Sequence, residues 1–276
     1  MQLSVIVSTY NEPGWLEKAL WGWEAQTERD FELLIADDGS GPETAACIER
    51  LRGETGLSIN HVWQEDRGFR KSMILNRAIE AAGGDYLVFS DGDCIPRADF
   101  LATHMRFARP GHYLSGGYFK LPKQASDAVT HEDVQSGRLF TGEWLDTHDV
   151  LRTHKRLLLT SNPAWSAILN RISRTVPTWN GHSASGWKSD LVAVNGFNEA
   201  MGYGGQDREL GYRLVNLGVR PVRIRFSTIC MHLEHPQSWR TEEAVAASKA
   251  IIAETVRSRR TWIDEGIRKP GAAPTA

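Results

Sequence analysis

The triplet Asp91-Gly92-Asp93 follows the apolar run Tyr86-Leu87-Val88-Phe89 after a single serine, so two carboxylates spaced i, i+2 emerge at the carboxyl end of what reads as a buried strand. In open α/β sheets, ligands bind beyond the carboxyl ends of the strands. Carboxylate oxygens are hard ligands suited to Mg²⁺ or Mn²⁺, and a divalent ion held by few protein ligands is the usual partner of a diphosphate. Taken alone, the triplet reads equally well as an ordinary surface turn. Polar clusters follow other strand-like runs as well: Ser8-Thr9-Tyr10-Asn11, Asp37-Asp38-Gly39-Ser40 and Asp66-Arg67-Gly68. A loop such as Thr9-Tyr10-Asn11 offers backbone groups and an aromatic face to a nucleobase, and Asp38 can accept a hydrogen bond from a uracil-type imide. Arg67, Arg70 and Lys71 supply cations that could pair with a diphosphate, with solvated surface charge the plainer reading for Arg67 and Lys71.

These clusters need elements to hold them. The first hundred residues alternate β-rich runs (3–7, 31–36, 59–63, 86–89) with helical periods (15–25, 43–51, 72–82), the rhythm of βαβ units. The expectation is an α/β fold, a mostly parallel sheet with helices on both faces and four polar loops at one edge. From 109 to 177 the pattern weakens, through Gly116-Gly117, a polar stretch over 123–136 and the basic segment Arg152-Thr153-His154-Lys155-Arg156; this reads as an insertion or substrate-binding region. A second ordered block begins near Trp179 and holds Gly196-Phe197-Asn198-Glu199 and Gly202-Tyr203-Gly204-Gly205-Gln206-Asp207, then a helix over 208–217 closed by Gly218. Strands over 221–226 and 228–231, a helix over 242–263 and a frayed tail over 270–276 complete the reading.

Composition narrows the partners. With 32 Lys+Arg against 34 Asp+Glu in 276 residues, no global field marks a nucleic-acid binder. Cys47, Cys94 and Cys230 are odd in number and lack metal or redox spacing, which predicts buried thiols in a reducing compartment. No basic n-region opens the chain and no window approaches the roughly 18 apolar residues of a spanning helix, so a soluble, cytoplasmic protein is expected. The basic face of Arg257, Arg259 and Arg260 allows peripheral membrane contact, or is simply solvated. Of ten tryptophans, Trp144, Trp179, Trp187 and Trp239 sit in polar contexts, where stacking on sugar rings competes with core packing.

The order and spacing of Val5-Ile6-Val7-Ser8-Thr9-Tyr10-Asn11, Asp37-Asp38-Gly39-Ser40 and Asp91-Gly92-Asp93 resemble the nucleotide-sugar half of glycosyltransferase family 2, inverting enzymes of the GT-A fold with a Rossmann-like sheet. The block from Asn195-Gly196-Phe197 to Gln206-Asp207 resembles the acceptor-side motif of galactosyltransferase and chondroitin-synthase-type domains. The resemblance implies one GT-A domain over 1–240, divided into a donor half (about 1–122), a variable insertion (123–178) and an acceptor half (179–240), followed by a C-terminal helix and tail over 241–276. It implies nucleotide-sugar contacts from Thr9, Tyr10, Asn11, Asp38, Arg70 and Asp91; a Mn²⁺ or Mg²⁺ site from Asp93 with His232, preferred to His235; acceptor contacts from Trp187, Gly205 and Gln206; and Asp207 as the base that deprotonates the acceptor hydroxyl. An N-cap role is the plainer reading of Asp207, with Glu209 and Asp190 as reserve acids.

Two departures stand out. Ile74-Leu75-Asn76 replaces the common Ala-Arg-Asn, and Gln206 replaces a frequent Glu; Asn76 is expected to fasten its helix to the carboxylate loop. The implied activity is metal-dependent, inverting transfer of a sugar from a nucleoside diphosphate, UDP above others, to a hydroxyl of a glycan or glycolipid, giving a β-linkage. The rivals are a nucleotidylyltransferase, which would want a Gly-rich basic loop after the first strand, and a non-catalytic saccharide-binding protein on a transferase scaffold.

Overall fold

The computed structural model describes residues 1–235 and 241–269; Trp239 and the tail over 270–276 lie outside them. The strands are β1 (Leu3–Thr9), β2 (Phe31–Asp37), β3 (Ile59–Trp63), β4 (Tyr86–Asp91), β5 (Cys94–Pro96), β6 (His112–Ser115), β7 (Gly117–Lys120), β8 (Ala184–Trp187), β9 (Arg220–Arg223) and β10 (Ile229–His232). The helices are α1 (Pro13–Glu24), α2 (Pro42–Thr55), α3 (Lys71–Ala81), α4 (Phe100–Phe107), α5 (Lys123–Ala128), α6 (His131–Gln135), α7 (Gly142–Thr147), α8 (Pro163–Ile172), α9 (Lys188–Ala193), α10 (Gln206–Leu217) and α11 (Glu242–Ser258). The main sheet runs β3-β2-β1-β4-β8-β6-β9, and β5-β10-β7 form a smaller one. β1 pairs in parallel with β2 and β4, β2 with β3, and β6 with β9, whereas β8 runs antiparallel to both its neighbours. The expected α/β fold, mostly parallel with helices on both faces, is the fold the chain adopts.

Alternation along β1 shows why. Leu3, Val5 and Val7 pack with Leu16, Ile48 and Phe100 from α1, α2 and α4, while Ile6 packs on the other face with Ile74, Ile79 and Leu210 from α3 and α10. A strand buried on both faces must be apolar throughout, and each such side chain contributes roughly 1.5–3 kcal/mol on burial. The middle region, whose layout the sequence leaves open, folds as short helices α5 to α7 closing over the small sheet; Leu139, Trp144 and Leu145 meet Phe119, Ile229 and Met231 there. Trp144 and Trp179 are therefore core residues, Trp179 lying between Phe89 and Tyr113. All three cysteines are free and buried.

Two helix bounds differ from expectation. α10 starts at Gln206 because Gly205, at φ 88°, turns the chain into it. α11 stops at Ser258 rather than running to 263, because Arg259 adopts φ 53° and Asn216 Nδ2 captures the Arg260 carbonyl at 2.8 Å. The segment after α11 is stapled to the 195–199 turn: Asn195 Nδ2 donates to the Ile263 and Arg268 carbonyls, and Glu199 N–H to Glu265. Among the described residues, no helix is long and apolar enough to cross a membrane.

One packing feature predicts a pH effect. His104 on α4 is fully buried with Nδ1 2.7 Å from Ser185 Oγ, and burial pulls its pKa down to about 3. The unfolded chain takes up this proton near pH 6.5, the ordinary value for a histidine. The stability from a neutral His104 is thus intact above that pH and drains away as pH falls toward 3, at about 1.4 kcal/mol per pH unit. His104→Gln should flatten the acid limb of urea unfolding across that window, and an unchanged limb would refute the assignment.

Candidate active site

The polar loops at the carboxyl ends of β1, β2 and β4 enclose a cavity of about 460 Å³ lined by Ser8 to Asn11, Asp38, Gly68, Phe69, Lys71, Asp91 to Asp93, Tyr203, His232 and His235. That volume suits a ligand of nucleotide size. Two bonds join the first two loops: Asn11 Oδ1 accepts from Gly41 N–H at 2.9 Å, and Ser40 Oγ from Asn11 N–H at 2.8 Å. Asp37 and Asp38 divide their work. Asp37, fully buried, accepts from Ser40 N–H and pairs with His61. Asp38 lines the cavity and accepts from Gln64 Nε2 at 2.6 Å and Arg70 N–H at 2.8 Å; burial nevertheless leaves its pKa above the ordinary value.

Asp91 accepts from Ser8 Oγ at 2.9 Å and from Lys71 Nζ at 2.6 Å. Burial works to raise its pKa, but Lys71, His182 and Ser8 outweigh burial and hold it down at about 2. Lys71 mirrors this: burial disfavours its charge, and Asp91, Asp207 and Asp93 together keep it above its ordinary value. A fixed anion–cation pair therefore sits at the end of β4.

Asp207, the second residue of α10, makes no capping bond; Gly205 is the N-cap. Its Oδ1 is buried without a partner, and Gly181 N–H donates to its carboxylate. Burial raises its pKa to about 6, with Lys71 opposing and Asp91 reinforcing. A Cβ on Gly181 would lie 3.2 Å from both Asp207 Oδ2 and Asp91 Oδ1, so this glycine leaves the two carboxylates facing one another beside the cavity. His182, the next residue, is pulled down to about 4 by burial and is neutral at pH 7.

The donor set at the start of β5 and the end of β10 fits a divalent cation. Asp93 Oδ2 lies 2.6 Å from His235 Nε2 and 3.7 Å from His232 Nε2. His232 Nδ1–H donates to the Leu233 carbonyl at 2.8 Å, which leaves the Nε2 lone pair toward Asp93, as an outer-shell bond orients a metal-binding imidazole. Ligand atoms of Asp93, Cys94 and His232 lie within 4.8 Å of one another. Burial keeps the Cys94 thiol well above its ordinary pKa, and a soft sulfur suits a hard divalent cation less well than the carboxylate and imidazoles beside it. One carboxylate with imidazoles suits Mn²⁺.

Several expected residues lie elsewhere. Trp187 is at the amino end of β4, paired with Tyr86 and edge-on to its ring at 5.2 Å, because β8 runs antiparallel and carries its last residue away from Asp91. The Arg70 guanidinium turns to the Glu65 carbonyl and Met73 sulfur, and the neighbouring Lys71 enters the cavity instead. Arg67 is exposed and pairs with Glu65. Gln206 is buried, its Oε1 accepting from Gly204 N–H, while Gly205 abuts Ile252 of α11. Asn76 grips the Phe197 backbone from both sides and Glu199, rather than the carboxylate loop, because its face of α3 looks toward that turn. Glu209 is locked to Arg213 in the core and cannot act as a base; Asp190 sits on α9, which follows directly on β8 where Trp187 pairs with Tyr86 at the far end of β4. Sequence reasoning missed Gly181, His182 and Tyr118, the Tyr118 ring lying edge-on to that of His182 at 4.5 Å, and undervalued Lys71. A Gly-His pair just after the poorly patterned insertion was the available signal.

A mostly parallel sheet with carboxylates, a lysine and histidines gathered at its carboxyl edge is the architecture of GT-A glycosyltransferases. The chain belongs to glycosyl transferase family 2, whose family model matches residues 4–149, just over half of it. The acceptor-side block over 195–207 lies outside that match. An uncharacterized glycosyltransferase, YfnE, of Bacillus subtilis (strain 168) is 24% identical over 291 residues, covering 95% of this chain and 72% of the relative. Validoxylamine A glucosyltransferase of Streptomyces hygroscopicus subsp. jinggangensis is 28% identical over 263 residues, covering 89% of this chain and 58% of the relative. Among solved structures, the mannosyltransferase PcManGT from Pyrobaculum calidifontis, in complex with GDP-Man and Mn²⁺, superimposes with a TM-score of 0.57 at 22% identity, over 86% of this chain and 58% of the other. The chain thus spans little more than half of the latter two proteins.

Proposed function

We propose that the protein transfers a sugar from a nucleoside diphosphate to an acceptor hydroxyl with inversion, giving a β-linkage, and that its donor is a UDP-sugar bound with Mn²⁺ or Mg²⁺. The observation that carries this reading is Asp207: a carboxylate with a buried, unpartnered oxygen and a pKa of about 6, beside the Asp91–Lys71 pair at the cavity edge. A base poised near neutral pH is what deprotonation of an attacking hydroxyl needs. Asp38 and the 9–11 loop hold the base and ribose end, and Asp91 orients the donor. Asp93 and His232, with His235 beside them, would hold the metal, which when bound neutralises charge on the departing diphosphate. Lys71 Nζ adds a fixed positive charge at the same edge. The acceptor is a glycan or glycolipid hydroxyl entering by the Gly202–Gly205 turn. One transferase domain over 1–240, with 241–269 stapled to its acceptor half, is the organisation this implies.

Calorimetric titration with UDP, GDP and UDP-sugars, each with Mn²⁺ and with EDTA, tests the donor site. UDP should bind with Mn²⁺ and fail with EDTA. In Asp93→Ala the metal-dependent binding should weaken by more than the 10- to 100-fold that loss of an outer-shell partner costs. Preference for GDP would correct the nucleotide; absence of any nucleotide binding would remove the basis of the reading.

A further inference from the structure

From 150 to 189 the chain contains no Asp or Glu, yet it carries Arg152, Lys155, Arg156, Arg171 and Arg174 ahead of Lys188. Within this stretch, α8 projects Trp165, Ile168 and Ile172 outward, 58%, 48% and 66% exposed. Positions i, i+3 and i+7 share one stripe of a helix. The opposite face is fastened by polar bonds: Ser166 Oγ donates to the Phe226 carbonyl at 2.7 Å, and Asn170 Nδ2 to Ser227 Oγ at 3.0 Å. The apolar stripe is thus held outward by its own anchoring. Leu151 (80% exposed), Leu157 (53%) and Val176 (74%) are exposed in the segments before and after it. Arg152 and Arg156 pair with Asp146, while Lys155, Arg171 and Arg174 are exposed and enter no ion pair among the described residues.

We propose that this face, α8 with its flanks over 151–157 and 174–176, docks on an anionic phospholipid bilayer. Trp165, Ile168 and Ile172 enter the headgroup layer, and Lys155, Arg171 and Arg174 meet lipid phosphates. Exposed apolar side chains accompanied by Lys155, Arg171 and Arg174, in a stretch with no Asp or Glu over 150–189, have the charge complementarity such a surface needs. The C-terminal helix lacks it: Arg257 is paired with Glu254, and Arg260 folds back on Thr255. The 226–227 turn that seats α8 leads into β10, which ends at His232, so docking would also set the cavity's orientation to the bilayer.

Co-sedimentation of the full chain with phosphatidylcholine vesicles, with and without phosphatidylglycerol, tests this without any sugar or nucleotide, so its outcome is separate from that of the transfer reaction. The protein should pellet with the anionic vesicles and be released by salt. Trp165→Ser/Ile168→Ser/Ile172→Ser and, separately, Lys155→Glu/Arg171→Glu/Arg174→Glu should each weaken partitioning at least about tenfold, with thermal melts like those of the parent because the side chains are exposed. Failure of the parent to pellet, or pelleting of both variants like the parent, would overturn the proposal. So would a dimer that the apolar triple variant dissolves in the absence of lipid binding, which would assign the face to a second copy.

Discussion

Asp207→Asn is expected to lower kcat by about 10²- to 10⁴-fold, the range a positioned general base supplies, while nucleotide affinity in calorimetry stays within about threefold. The asymmetry follows from position. Asp207 is absent from the cavity wall and borders it through Asp91 and Lys71, so the substitution removes a proton acceptor and leaves the donor's contacts in place. Asn keeps an oxygen for Gly181 N–H, so the local fold should hold. The pH profile gives an independent check. A base with a pKa of about 6 works only when deprotonated, so kcat should rise through pH 6 and level above it. Lys71 opposes burial in setting that value, so Lys71→Met should move the acid limb to higher pH as well as weaken donor binding. A profile flat across pH 5–7, or an Asp207→Asn enzyme within threefold of the parent rate, would sink the assignment. Equal losses of rate and nucleotide affinity would instead make Asp207 part of the donor site.

How much of this was legible in the sequence depends on the range of the interaction. The strand-and-loop rhythm of the first hundred residues was legible because burial on two faces forces continuous apolar runs, and chain reversal at each carboxyl end forces Gly, Asp and Asn. The gathering of Asp38, Asp91 and Asp93 at one edge follows from parallel register alone. What failed was side-chain direction. Adjacent Arg70 and Lys71 share charge and sequence context, and only the start of α3 decides that one turns to Glu65 and the other to Asp91. Trp187 read as a sugar platform until the antiparallel course of β8 carried it to the wrong end of the sheet. His182 had no periodic pattern around it, since its place beside Asp91 is set by contacts distant in sequence: Ser90 Oγ and Cys230 Sγ both donate to its carbonyl. Glu209 looked like one more acid near Asp207, and nothing local distinguishes a free carboxylate from one answered by an arginine one turn later.

That pair carries the largest expected effect on stability. Glu209 and Arg213 are both fully buried, joined by two bonds from Arg213 Nε at 3.0 and 2.9 Å, and Arg213 also donates to the Val194 and Gly196 carbonyls. Thr255 Oγ1 of α11 donates to Glu209 at 2.9 Å. One ion pair therefore joins the helix bearing Asp207, the turn that Asn76 grips and the C-terminal helix. Arg213→Met should cost about 3–5 kcal/mol, because it leaves a buried carboxylate with only Thr255 Oγ1 and an Arg260 Nη2 3.7 Å away, and two carbonyls without their donor. For a chain of this size that is a fall in Tm on the order of 10 °C. Glu209→Gln/Arg213→Met should recover part of the loss, because the stranded charge is gone, yet not all of it, because the Val194 and Gly196 carbonyls remain unanswered. A double-mutant cycle from urea unfolding separates these contributions. A loss under about 1 kcal/mol for Arg213→Met would mean that water reaches Glu209, and the pair would then be no anchor for the helix that bears Asp207. If the anchor is real, the single variant should lose activity on warming well before the parent, while at low temperature its pH profile keeps the same acid limb, since Asp207 keeps the burial and the Lys71 neighbour that set its pKa.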